Sequence, residues 1–232
     1  MNEIRNALKN VSDKEKIKVL QGFFKTGKGQ YGEGDVFLGV VVPEQRKIAK
    51  AFCDKVSLED IQELLNSAIH EERMVALFIL VEQYKKAGHD TRQKMFNFYL
   101  ANTARINNWD MVDLSAPNIV GDFLRDKDRT ILYALAKSKS LWEKRISILA
   151  TFAFIKNNEF DDTLKISEIL LTDPHDLIHK AVGWMLREVG KKSLKIEQSF
   201  LDKHAPKMPR TMLRYAIEKF PEELRKKYLC KK

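Results

Sequence analysis

The chain has 232 residues, 44% of them hydrophobic, enough for one large domain or two small ones with a sizeable core. Its 41 Lys and Arg against 32 Asp and Glu leave a formal charge of +9, a surplus that attracts polyanions such as nucleic acid or an anionic membrane face. Two distant cysteines, Cys53 and Cys230, argue against a disulfide framework or a zinc site. No run approaches about 18 apolar residues, and the first residues lack the apolar centre of a signal peptide, so a cytoplasmic protein is expected.

Taken in chain order, the signals are helical. Ser12 and Glu15 have the spacing of a capping box. The segment "GFFKTGKGQYGEG" has a P-loop-like gap from Gly22 to Gly27 with Lys28 after it. Gly29 stands where a magnesium-binding Ser or Thr is required and no strand precedes, so a glycine-dense loop offering Lys25 and Lys28 to a phosphate backbone, or a disordered segment, is the better reading. The run "VFLGVVV" at 36–42 is the one strand-like stretch, and Pro43 suits a first helical turn. Beyond it, apolar residues recur at helical spacing to the C-terminus. "TDPHD" around Pro174 closes one helix and opens another. His175 and His179 have i,i+4 spacing, but the acid between them is Asp176 and no third ligand is evident, so no metal is expected. The lysines of 191–195 and the terminal "RKKYLCKK" read as solvated charge.

The longer segments repeat. "HEERMVALFILVEQY", "INNWDMVDLSAPNIV", "LWEKRISILATFAFI", "DLIHKAVGWMLREVG" and "RTMLRYAIEKF" align on Arg73, Asp110, Arg145, Lys180 and Arg214, with steps of 37, 35, 35 and 34 residues. Shorter apolar segments such as "LEDIQELLNSAI", "TRQKMFNFYLAN" and "DTLKISEILL" lie between them as partner helices. The period is at or just below that of HEAT and armadillo arrays. The expectation is an all-α superhelix, a solenoid of HEAT-like helix pairs with about ten to twelve helices, forming a single domain over 1–232.

One repeat is chemically odd. Three residues past each anchor stand Ala76, Asp113, Ile148, Gly183 and Ile217, and only the repeat with Asp113 has an acid, Asp110, as its anchor. A buried carboxylate costs several kcal/mol, order of magnitude, unless it is paired. Asp113 is therefore either functional, or it sits on a rotated helix where it caps a backbone group or meets Arg145. Trp109 lies four residues before it, on the same helix face, and Trp184 lies in the corresponding helix two repeats on. Along one concave surface, Arg73, Arg145, Lys180 and Arg214 would form a row of cations suited to phosphates. A tryptophan at helical spacing is, however, more often core than ligand contact, and a lone basic anchor more often caps a solvated face.

The stretches "FLGVVVPEQRKIAK", "WDMVDLSAPNIVGDFL", "LWEKRISIL" and "KAVGWMLREVGK", in this order over most of the chain, resemble the DNA alkylation repair family of AlkD-like HEAT-repeat DNA glycosylases. The resemblance implies base excision repair: duplex DNA held in a concave groove and release of cationic N3- or N7-alkylated purines, 3-methyladenine and 7-methylguanine. It implies Asp113 as the catalytic carboxylate, Trp109 and Trp184 as aromatic walls and Arg145 as a phosphate clamp, with no cofactor or metal. Arg73, Lys180 and Arg214 as further DNA contacts come from the repeat. The chain departs from the family pattern at Asn108, where relatives often carry a second tryptophan. A monomer without membrane attachment is expected. The alternative from another class is a non-catalytic HEAT-like module that binds DNA or a protein partner.

Overall fold

A computed structural model describes residues 1–230, so Lys231 and Lys232 of the terminal basic run lie outside it. Among the described residues the regular structure is helical, fifteen α-helices with short 3-10 turns between several of them. The count exceeds the expected ten to twelve because long apolar segments break. "LWEKRISILATFAFI" divides at Thr151, whose hydroxyl donates back to the Ile148 carbonyl at 2.7 Å. No helix among these residues is long and apolar enough to cross a membrane.

The chain forms two compact units, Met1–Ser115 and Ala116–Lys232. In the first, α1 (Asn2–Asn10), α2 (Lys14–Phe23), α3 (Val42–Phe52), α4 (Leu58–Leu65), α5 (His70–Lys86) and α6 (His89–Ala101) precede α7 (Trp109–Ala116). The central element is α5, against which α1, α3, α4 and α6 pack. Every residue from His70 to Val81 is buried, which places four ionisable side chains, His70, Glu71, Glu72 and Arg73, inside the protein. A helix apolar on all sides belongs in a core, but a buried charge must be matched, and these are. Glu72 binds Arg5 of α1 at 3.1 Å. Glu71 accepts from three consecutive backbone amides, Leu38, Gly39 and Val40, at 2.9 to 3.2 Å.

That carboxylate explains why "VFLGVVV" is not a strand. The amides a neighbouring strand would use are bound by Glu71, and only Val36 makes a bridge, parallel to Ile69. Gly39 has φ +83, and a side chain there would collide with the Asp13 backbone, so the turn admits only glycine.

Helix ends follow local chemistry. Ser57 and Asp60 form a reciprocal capping box at α4, and Pro43 stands in the first turn of α3. The box expected at Ser12 and Glu15 does not form. Because α1 runs to Asn10, Ser12 falls in its closing turn and donates to the Lys9 carbonyl, while Asp13 caps α2 by accepting from the Glu15 amide at 3.0 Å.

The second unit holds α8 (Thr130–Ala136), α9 (Leu141–Ala150), α10 (Phe152–Lys156), α11 (Asp161–Ile169), α12 (Asp176–Lys192), α13 (Leu194–His204), α14 (Arg210–Ala216) and α15 (Glu222–Cys230). Here three anchor helices stack in succession, α9 on α12 and α12 on α14, with α8, α11 and α13 as partners. Gly183, at the repeat position where the others carry Ala76, Asp113, Ile148 and Ile217, lets α12 approach α14 until a Cβ would strike the Met212 carbonyl and the Tyr215 side chain. Such close backbone approach is the packing reason for a glycine in mid-helix.

Candidate nucleic-acid site

The segment with Trp109 and Asp113 is built from its first turn. Asn108 accepts the first intrahelical bond, its carbonyl receiving the Val112 amide at 3.2 Å. A helix start leaves unsatisfied N–H groups. Two of them are taken locally: the Trp109 amide by the Asn108 Oδ1 at 2.8 Å, and the Met111 amide by the Asp110 Oδ1 at 2.8 Å. Asp110 in the first turn also suits the positive end of the helix dipole.

Met111, Val112, Ser115 and Ala116 face the core, whereas Trp109 and Asp113, four residues apart, are both only half-buried. The carboxylate that the spacing suggested as core-facing thus lies on the half-open face beside the indole. On the buried face, the Tyr99 hydroxyl bonds Ser115 at 2.8 Å, and Ser115 donates to the Met111 carbonyl. Burial pushes the Tyr99 phenol above its ordinary range, and Asp113 adds to that, so Tyr99 stays a neutral donor. Past α7 the helix widens into a π turn over Pro117–Gly121. Proline has no N–H to return to the Asp113 carbonyl four residues back, and local widening is the usual consequence of such an interruption.

Trp109 is braced by aromatics that sequence reading did not single out. Its ring stacks on Phe24, centroids 5.3 Å apart and planes 18° apart, and meets Phe23 edge-on at 5.6 Å. Phe24 in turn stacks on Phe37, and Phe37 on His70. Phe23 is 60% exposed.

Beneath this row is a buried polar cluster. His70 places Nδ1 3.1 Å from Asp35 and Nε2 2.9 Å from Asp110. Asp35 also accepts from Arg73 at 2.6 Å and from Asn108 at 3.2 Å. Burial disfavours the His70 charge, but the hydrogen bonds to Asp110 and Asp35 outweigh it and raise its pKa to about 9. Burial likewise opposes ionisation of Asp35, yet the His70 and Arg73 contacts hold its carboxyl below the ordinary value. The sequence does not single out Asp35 or His70, nor give Asn108 this role, because the partners lie 35 to 73 residues apart. The one available signal was the acid at the anchor, Asp110, whose partner is this histidine.

The remaining expected residues fall as follows. Arg73, expected as a DNA contact, is buried, with its guanidinium on Asp35 and on the Ser67 carbonyl at 3.0 Å. It cannot reach a phosphate without giving up its bonds to Asp35 and the Ser67 carbonyl. Arg145 on α9 is also buried and donates to the Leu177 carbonyl in the first turn of α12. Lys180 on α12 is half-exposed and pairs with Asp176 at 2.7 Å. Arg214 on α14 is exposed. Trp184 is half-buried, donates to Glu188 at 3.0 Å and lies 6.1 Å from the Phe152 ring. The second unit thus sets Arg145, then Lys180 with Trp184, then Arg214 on successive stacked helices.

The glycine-rich loop and the His175 and His179 pair have local roles. The Gly27 and Gly29 amides bind Gln30 and Glu33 of their own loop, and Lys25 and Lys28 are exposed. His175 caps α12 by accepting from the Leu177 amide, and His179 bonds the Asp173 carbonyl.

Comparison with known proteins agrees with this architecture. Residues 4–220 match the family described as DNA alkylation repair enzyme. A solved structure described as a predicted DNA alkylation repair enzyme from Enterococcus faecalis is similar with TM-score 0.71 at 16% identity, covering 91% of this chain and 97% of that one. The crystal structure of smu.31 from Streptococcus mutans UA159 is similar with TM-score 0.54, also at 16% identity, over 93% of this chain and 100% of that one. No curated protein matches. At such identities the solved structures attest the fold, and the family match over nearly the whole length makes this chain a member of the DNA alkylation repair enzyme family.

Proposed function

We propose that the chain is a DNA glycosylase that hydrolyses the N-glycosidic bond of cationic N3- and N7-alkylated purines in duplex DNA. The observation that carries this reading is the half-open face of α7, where the Trp109 indole and the Asp113 carboxylate stand four residues apart, with Leu114 beside them, on a helix whose other residues are buried. A purely structural array has no use for a carboxylate on a surface meant for polyanions, where it repels the ligand.

The chemistry suits these groups. Alkylation gives the purine a formal positive charge, so the base leaves as a neutral molecule and needs no strong acid. As the C1′–N bond breaks, positive charge develops on the sugar. Asp113 stabilises that oxocarbenium-like centre and orients the water whose oxygen bonds C1′ and whose proton passes to the carboxylate or solvent. The faces of Trp109 and Trp184 favour a cation or polarised C–H edges, by about 0.5 to 2 kcal/mol per contact. Lys180 and Arg214 supply phosphate contacts, Arg145 joins them only by turning out from the Leu177 carbonyl, and Arg73 acts from beneath through Asp35. The Lys25 and Lys28 loop adds charge to the approach. A monomer acting without cofactor is sufficient for every step.

The test is incubation with methylated duplex DNA followed by chromatography of free bases. Wild type should release 3-methyladenine or 7-methylguanine, and Asp113→Asn at least tenfold less, with near-normal DNA affinity. Equal release by both proteins would remove Asp113 from the chemistry. DNA binding without any release would leave a non-catalytic module.

A further inference from the structure

We propose that His70 is a positioning residue for this reaction, holding the first turn of α7 through a closed ring of hydrogen bonds so that Trp109 and Asp113 keep their place on the open face. This rests on the glycosylase reading, to which it adds a residue that touches neither base nor sugar.

The ring runs from His70 Nε2 to Asp110 at 2.9 Å, along the backbone from Asp110 to Asn108, from Asn108 Nδ2 to Asp35 at 3.2 Å, and from Asp35 back to His70 Nδ1 at 3.1 Å. It grips α7 on both sides of Trp109, at residues 108 and 110. The same two side chains bind the Trp109 and Met111 amides, so a loosened ring releases the helix start itself. All four members are buried, as is Arg73, the further partner of Asp35.

The contacts favour the protonated ring. Each imidazole nitrogen faces a carboxylate oxygen, and an ionised carboxylate only accepts, so both nitrogens must donate and the ring is an imidazolium. Its pKa of about 9 agrees with that. The groups facing it are Asp35 from the segment before α3, Asp110 from α7, the Phe24 and Phe37 rings, and Arg73 of its own helix through Asp35. Two carboxylates meet two cations, a balance that loss of the imidazolium proton destroys. One of the two carboxylates, Asp35 or Asp110, then faces a lone pair, and the ring that fastens the first turn of α7 is opened. The cluster thus closes around Trp109, a half-open residue, and not only around buried ones.

The test compares wild type with His70→Gln and Asp110→Asn, using single-turnover release of 7-methylguanine from duplex DNA between pH 6 and 9.5. Emission of Trp109 is followed in parallel, with Trp142 and Trp184 both replaced by Phe. Folding is checked by circular dichroism. Wild type should lose rate, and its Trp109 emission should shift, as pH rises through about 9. His70→Gln should release base at least tenfold more slowly at pH 7.5 with DNA affinity within twofold, and should show no alkaline limb. Asp110→Asn, which can still accept from the Met111 amide, should move that limb to lower pH. Folded variants with wild-type rates and emission would overturn the proposal. If His70→Gln does not fold, Asp110→Asn decides. If neither folds, the wild-type emission titration decides, and a flat profile through pH 9 overturns it. Wild type that releases no base would sink the glycosylase reading instead, and the emission titration would still decide on the fastening of α7.

Discussion

The Trp109 indole lies face to face with the Phe24 ring, centroids 5.3 Å apart and planes only 18° from parallel. Phe24 closes α2 and is buried, so the residue that offers aromatic surface on α7 is held by a segment some 85 positions earlier (109 − 24). Phe24→Leu keeps most of the volume but removes the stacked plane. Stacked pairs contribute about 0.5–1.5 kcal/mol beyond their area, so a stability loss of that order is expected in chemical denaturation, with a red shift of Trp109 emission and slower base release. Unchanged emission would mean that the indole needs no brace.

The cations of the second unit should register in salt dependence. Each phosphate contact contributes about 0.9 to the slope of log affinity against log salt on duplex DNA. Lys180→Ala and Arg214→Ala should each flatten the slope by about one contact, whatever the DNA sequence. Arg145→Ala should do the same and also lower thermal stability, because it frees the Leu177 carbonyl. If stability alone falls, Arg145 only holds α12.

Packing between α12 and α14 depends on Gly183. An added methyl would strike the Met212 carbonyl, which is backbone and cannot step aside. Gly183→Ala should destabilise the protein by about 1–3 kcal/mol, the usual range for overpacking, read as a lower denaturation midpoint. Since Trp184 is the next residue, base release should fall with it.

Glu197 gives a pH signature of its own. It is buried on α13 against α12, and burial raises its pKa from 4.5 to about 9, opposed only in part by Arg187. A carboxyl whose pKa is higher folded than unfolded contributes stability that is complete below pH 4.5 and is lost as pH rises through about 9. The loss is at most about 1.4 kcal/mol per pH unit inside that window. Glu197→Gln should remove this slope, so that between pH 5.5 and 7.5 wild type loses up to about 3 kcal/mol relative to the variant in urea unfolding. Parallel curves would show that Glu197 is ionised in the folded protein.

Sequence by itself determined the helical class and the anchors. The Trp109 and Asp113 pair, the opening of α12 past Pro174 and the stacking register of α9, α12 and α14 all follow from residues that meet within a turn or two, or from a period of about 35 residues repeated in the chain. Helical geometry converts such spacing directly into a shared face. Tertiary structure alone decided where the charges went. Arg73 and Asp110 occupy equivalent repeat positions, yet one points its guanidinium at Asp35 and the other its carboxylate at His70, because α5 is enclosed on all sides and any charge on it must find a partner within reach. Those partners come from a glycine-rich turn and from the start of another helix, and no local periodicity encodes which loop will arrive there. The same holds for "VFLGVVV", whose pattern favours a strand until the Glu71 carboxylate claims its amides.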